Sequence, residues 1–486
     1  MSKKIKKVLS LYTKMPVQAK ASFWYAVSNV TLKAISLLVT PIFTRLMTTE
    51  QYGYYSVYQS WYETILIIGS LSLASDVAYN MLTKEDGDRY KIMAALQGLS
   101  TVTTATLFIL YLINISFWNS VLGLGTVVVI AMFLNILLEP AYRYWLIEQR
   151  YDYKYKGVVA MTLVLATVTP IIGIVSVSQT PYKAEARILS FVLVHGLIGL
   201  AFYIYNWRKG KIFFHAKYWL FALRFNLPLI PHYLSAVILH QADRIIIAQM
   251  VGKGAAAIYS IAYVVSFMMN IITSAIRNAF LPYTYQSLKG EDYQKLKSNT
   301  RFLIIFAAGL CLVTVFFAPE LIAIFASKEY ADAVWVVPPV AISVFFVFVY
   351  NIFINVELYY EKTKATMSVT VVAAIVNIVL NYFFIARWGY FAAGYVTLFC
   401  YIGMSVAHFF VYRSIIRKEI PEISDVYDIK SIVVLSIVLL LIMLGMLFIY
   451  RNIWIRYGTL IVLLVVVFLK RKMIIAQLCE MRVQQD

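Results

Sequence analysis

The residues best placed to do chemistry are ionisable groups set inside long apolar stretches. Lys33 has Asn29 four residues before it, Ser36 three after and Thr40 seven after, so on a helix these four form one polar stripe. Glu63 lies in the next apolar stretch, about as far beyond the turn near Thr48 and Glu50 as Lys33 lies before it. The two are therefore expected to meet at one depth across a helical hairpin. Asp243 and Arg244 follow His240 and Gln241 in a stretch where Pro228 and Pro231 permit a bend. Neighbouring helical residues diverge by about 100°, so this pair cannot share one face. Asp76 and Arg277 stand near the inner ends of their stretches and are expected to bridge two halves of the chain as a cytoplasmic gate. Glu139 and Arg143, one turn apart, read as a local pair.

An ionisable group at a bilayer centre costs at least about 2.5–3.5 kcal/mol, so each needs a partner, a wet cavity or a ligand. Lys33, Glu63 and Asn29, with Asp243, Arg244 and Arg277, are assigned to a cavity wall; the alternative is that such charges staple helices together. No catalytic arrangement is visible. Glu85-Asp86-Gly87-Asp88 sits between Lys84 and Arg89 as a solvated turn, and no glycine-rich phosphate loop precedes a helix. The three cysteines and five histidines are dispersed, which predicts neither a metal site nor a disulfide. No cofactor is expected beyond a coupling Na⁺ or H⁺.

The elements that must position these groups follow from composition. The chain of 486 residues is 61% hydrophobic and 14% charged, against about 25% charged in soluble domains. Fourteen apolar stretches of spanning length, roughly 20 residues each, predict an all-α integral membrane protein. Lysines and arginines account for a net charge of +19 and gather on alternate connections. Lys3, Lys4, Lys6, Lys7, Lys14 and Lys20 precede the first span, and Lys470, Arg471 and Lys472 follow the last. That bias puts both termini in the cytoplasm and makes the basic excess topological, excluding nucleic acid as a partner. Ile5, Val8, Leu9 and Tyr12 oppose a run of lysines, a pattern that suits anionic lipid headgroups.

A weak internal repeat organises the spans. Leu46–Tyr58, with Tyr55-Ser56-Val57, aligns without gaps to Met250–Ala262, with Tyr259-Ser260-Ile261, at an offset of 204 residues. Lys33 and Glu63 then fall on Val237 and Phe267, so their charges belong to one half alone. Six spans separate the copies, which makes them parallel repeats. The expected organisation is a basic segment 1–20, a first lobe 21–206, a linker 207–225, a second lobe 226–413, a loop 414–431, two added spans within 432–470 and a tail 471–486. Two parallel six-helix lobes around a central cavity, with two additional C-terminal helices, are transporter architecture, and no loop is long enough for a catalytic domain.

The stretch Asp243-Arg244-Ile245-Ile246-Ile247, Gly252 and Ala257-Ile258-Tyr259-Ser260-Ile261-Ala262-Tyr263 resembles the start of the second half of bacterial polysaccharide flippases. Thr44-Arg45-Leu46-Met47 through Tyr52-Gly53-Tyr54-Tyr55-Ser56 resembles their first loop, and Trp388-Gly389-Tyr390-Phe391-Ala392-Ala393-Gly394 the glycine-rich start of span 12. These proteins belong to the multidrug, oligosaccharidyl-lipid and polysaccharide exporter superfamily. The resemblance implies a multi-pass protein of the bacterial inner membrane that moves a polyprenyl-pyrophosphate-linked oligosaccharide to the outer leaflet by alternating access, for O-antigen, capsule or exopolysaccharide. It also implies a cavity lined by spans 1, 2, 7 and 8, membrane lipids as neighbours, and a polysaccharide polymerase and chain-length machinery as partners. A cationic cavity with Lys33, Arg244 and Arg277 would suit a pyrophosphate. Glu63 and Asp76 keep open a Na⁺- or H⁺-coupled multidrug antiporter of the same superfamily; a polysaccharide polymerase or ligase fits the short outer loops less well.

Overall fold

A computed structural model describes residues 15–84 and 88–469; the N-terminal amphipathic pattern, Glu85-Asp86-Gly87 and the basic tail lie outside them. Among the described residues every regular element is helical. In lipid a helix satisfies its own backbone groups. Chain contacts divide the protein into two units, Met1–Ala257 and Ile258–Asp486.

The first unit contains α1 (Val17–Leu46), α2 (Thr49–Ser70), α3 (Asp76–Lys84), α4 (Arg89–Ile113), α5 (Ile115–Leu122), α6 (Thr126–Tyr151), α7 (Tyr155–Ser178), α8 (Lys183–Gly210), α9 (Ala216–Asn226) and α10 (Ile230–Met250). α6 packs on α8, α7 on α8, α1 on α7 and α10 on α2. Tyr58, Tyr62, Met132, Phe133, Ile136 and Ile188 form one buried core, and Leu73, Met81, Ile92, Leu96 and Tyr144 another. The segment from Ala216 is a helix whose Trp219 indole donates to the Ala95 carbonyl at 2.7 Å. A 3-10 turn at Leu227–Leu229, which contains Pro228, joins α9 to α10.

The second apolar stretch, expected as one span over Tyr52–Tyr79, is broken. α2 ends at Ser70, and Leu71 and Ser72 take left-handed φ angles of 49° and 47°. That conformation costs an L-residue roughly 1–2 kcal/mol. Neighbouring side chains supply the backbone bonds the break forfeits. Thr103 and Thr104 donate to the Gly69 carbonyl, Thr104 at 3.0 Å, and Asn226 donates to the Leu71 carbonyl. An interrupted backbone at membrane depth is tolerated where protein or a wet cavity satisfies it.

Twelve helices among the described residues are long and apolar enough to cross a membrane, against the fourteen expected. The second expected span falls short because Glu50, Gln51, Gln59 and Glu63 dilute the apolar content of α2. The fourteenth, α18 (Ile453–Leu469), has 17 residues.

The 204-residue offset reappears as a contact. The Gly254 amide donates to the Glu50 carboxylate at 2.9 Å, 204 positions away. Beside it Gly53 lies so close to Lys253 that an added Cβ would sit 1.8 Å from the Lys253 carbonyl oxygen. A capping box between Thr48 and Gln51 starts α2 at this point.

α11 (Lys253–Lys289) leads into the second unit, followed by α12 (Tyr293–Phe316), α13 (Ala318–Phe325), α14 (Val337–Tyr359), α15 (Thr363–Trp388), α16 (Phe391–Glu419), α17 (Ile429–Ile449) and α18. α14 packs on α12, α16 and α17, and is buried along most of its length. The added pair is tied in by polar contacts: Arg456 pairs with Glu320, and the Tyr457 hydroxyl donates to Glu320 at 2.6 Å.

Candidate functional site

A cavity of about 570 Å³ lies within the first unit, walled by α2, the α2–α3 break, α6, α7, α8 and α10. The break contributes Ser70, Ser72, Ala74 and Ser75. The strained turn thus sets small side chains, three of them hydroxyls, on the cavity wall.

Glu63 points into this cavity, held on both carboxylate oxygens. Gln59, one turn earlier on α2, donates to one oxygen at 3.0 Å, and Gln241 on α10 donates to the other at 2.5 Å. The Gln241 carbonyl oxygen in turn accepts from Ser60 at 3.1 Å and from Arg244 at 3.0 Å. Arg244 also donates to the His240 carbonyl. Sequence spacing had matched Glu63 with Lys33. The structure gives Glu63 two amide donors instead, because α2 packs along α10 and touches α1 only near the turn that joins them. Arg244 reaches Glu63 through one glutamine.

Glu139 and Arg143 also wall the cavity, bonded at 2.6 Å. Their contact is the local pair expected from the sequence, but its place in the cavity is new. Tyr62, Tyr142, Phe191, His195 and Tyr233 add aromatic surface. Gln59 Oε1, Glu139 Oε2 and His195 Nδ1 are buried without a hydrogen bond among the described residues. The lining holds two carboxylates, Glu63 and Glu139, and one guanidinium, Arg143; Lys33, Arg244 and Arg277 are not part of it.

The other expected site residues are dispersed. Lys33 and Asn29 are exposed on α1, and among the described residues Lys33 makes no ion pair. Asp243 is fully buried on α10, and Arg244 is 8% exposed. Asp76, at the start of α3, accepts from the Tyr233 hydroxyl at 2.6 Å. In the second unit Arg277 donates to Asn351 at 2.7 Å.

The sequence reading also missed a cluster in the second unit. Glu357 on α14 accepts from Thr366 at 2.6 Å and lies 2.8 Å from His408 Nδ1, with both the Glu357 and His408 side chains fully buried. The partners are separated by 51 positions, so no spacing rule connects them.

Three comparisons place the chain among known proteins. The polysaccharide biosynthesis protein family matches residues 19–288. The chain belongs to that family. The MatE family also matches, over residues 228–383. A curated relative from Haemophilus influenzae, "Lsg locus putative protein 1", is 23% identical over 367 residues, covering 74% of this chain and 89% of its own length. Among solved structures, the lipid II flippase MurJ in an inward closed conformation superposes with a TM-score of 0.70 at 14% identity, over 93% of this chain and 99% of its own. An inward-facing multidrug resistance MATE transporter gives 0.60 at 13% identity, over 79% and 94%. At such identities the structures establish the fold alone, that of a helical membrane protein.

Proposed function

We propose that this chain is a flippase that moves a polyprenyl-pyrophosphate-linked oligosaccharide from the cytoplasmic to the outer leaflet of a bacterial inner membrane by alternating access, with both termini in the cytoplasm. The observation that carries this reading is a polar cavity, walled in part by a broken helix, in a chain of the polysaccharide biosynthesis family. Discontinuous helices mark substrate sites in transporters because their ends expose backbone and small polar groups at membrane depth.

In this reading the lipid-linked diphosphate meets the exposed stripe of Lys33 and Asn29, where a cation in lipid is compensated by the ligand's charge. Glu63 is the group that would couple transport to H⁺ or Na⁺, and a polymerase would receive the product outside. A second reading, a cation-coupled multidrug antiporter, draws on the MatE match and on the two carboxylates in the cavity.

The test is deletion of the gene in a bacterium that carries it. Lipid-linked repeat units should accumulate on the inner leaflet, with drug sensitivity unchanged. Normal polymer export in the deletion strain, with no other flippase present, would overturn the reading, and drug hypersensitivity would favour the antiporter.

A further inference from the structure

We propose that the first-unit cavity is a glycan subsite: it reads the sugar rings of the cargo, while the diphosphate binds elsewhere. The proposal rests on the flippase reading and deepens it by dividing the cargo between two places.

Charge decides against a diphosphate in this cavity. Its single guanidinium, Arg143, already faces Glu139 at 2.6 Å, and Glu63 adds a second carboxylate. A diphosphate against this lining would meet two carboxylates and a guanidinium that is already paired, so the wall offers it repulsion and no free cation. Size decides against a bare ion. A volume of about 570 Å³ lies in the roughly 300–1,000 Å³ range of small-molecule sites. The carboxylates are also apart in their bonding, Glu63 to two amides and Glu139 to Arg143, and no group of three or more metal-ligating side chains occurs among the described residues.

What remains suits a hydroxyl-rich ring. Sugar hydroxyls are donors that need acceptors, and the wall holds Gln59 Oε1 and Glu139 Oε2 without a hydrogen bond among the described residues. His195 Nδ1, likewise unbonded, takes either role according to its tautomer. The C–H face of a pyranose packs on an aromatic face, whose electron density attracts the slightly positive hydrogens. Tyr142 supplies such a ring on the cavity wall, half-buried and braced by Trp145 and Phe202, with centroids 6.0 and 5.5 Å away. The hydroxyls of Ser70, Ser72 and Ser75 at the helix break extend the polar lining. Tyr142 and Gln59 are therefore specificity-determining residues for the glycan.

The test uses the full chain purified in lipid nanodiscs and two soluble probes. One is the phosphate-free repeat-unit oligosaccharide cut from the cell's own exported polymer; the other is inorganic pyrophosphate. The oligosaccharide should bind, and Tyr142→Ala and Gln59→Leu should each weaken it at least tenfold. Pyrophosphate should neither compete with it nor respond to those two variants. A thermal melt within a few degrees of the parent shows that each variant is folded; if Tyr142→Ala fails this control, Tyr142→Leu and Gln59→Leu carry the measurement. Unchanged oligosaccharide affinity in folded variants, competition by pyrophosphate, or no oligosaccharide binding at millimolar concentration would each overturn the subsite. None of these results touches the flippase reading, which falls only if the deletion strain exports its polymer normally.

Discussion

The cavity of the first unit and the Glu357–His408 cluster of the second are both polar islands in apolar protein, and they are built differently. Around the cavity, Glu63 and Glu139 are bonded, but Gln59, Glu139 and His195 keep buried atoms unbonded among the described residues, and the wall includes a strained helix break. Around Glu357 both carboxylate oxygens are engaged, by Thr366 and His408, and the side chains of the pair are fully buried. A buried polar group left unbonded costs about 1–3 kcal/mol. In the second unit the Glu357 carboxylate joins α14, α15 and α16, while His408 Nε2 is itself left unbonded among the described residues. In the first unit the unbonded atoms belong to residues that line a cavity, the pattern expected where a ligand supplies the missing partners.

If that contrast is right, the largest stability effect lies in the second unit. His408→Ala leaves one buried Glu357 carboxylate oxygen without its partner, and an unmet buried polar group costs about 1–3 kcal/mol. Thermal unfolding of the purified chain should show a large drop in midpoint, while protein that folds at low temperature should still transport. A variant that melts normally but does not transport would reverse the roles of the two regions.

In the first unit the effects should fall on transport. Lys33→Ala should lower flipping of lipid-linked repeat units at least tenfold, about 1.4 kcal/mol, with little change in melting because Lys33 is exposed. Glu63→Gln keeps the shape of the side chain, and its effect on transport should add to that of Lys33→Ala in the double variant. Residues that do not touch act independently, and Glu63 bonds Gln59 and Gln241. Recovery of transport in the double variant would show that the two charges neutralise each other during the cycle.

The smallest effect belongs to a loop that touches neither region. Burial would raise the Asp152 pKa, but the hydrogen bond from Lys154 and the charge of Arg89 outweigh it and hold the carboxyl below its ordinary value. Its contribution is therefore complete above the usual carboxylate pKa of about 3.9 and lost as pH falls through the lowered value. The pair is partly exposed, so Asp152→Asn should cost less than about 1 kcal/mol at neutral pH. The difference in melting between variant and parent should vanish in acid.

The sequence by itself determined the helical membrane class and marked charges set inside apolar stretches, of which Asp243 and Arg244 are buried. These are legible because burying a long apolar stretch or a lone charge in lipid has a cost that depends on residue type and spacing alone. Only the tertiary structure decided the partners. It gave Glu63 to Gln241 across 178 positions and Glu357 to His408 across 51, and it broke the second span at Leu71, where Thr104 and Asn226 support the bent backbone. A hydrogen bond needs two groups within about 3 Å, and no pattern along one chain fixes that distance between helices that meet only when folded.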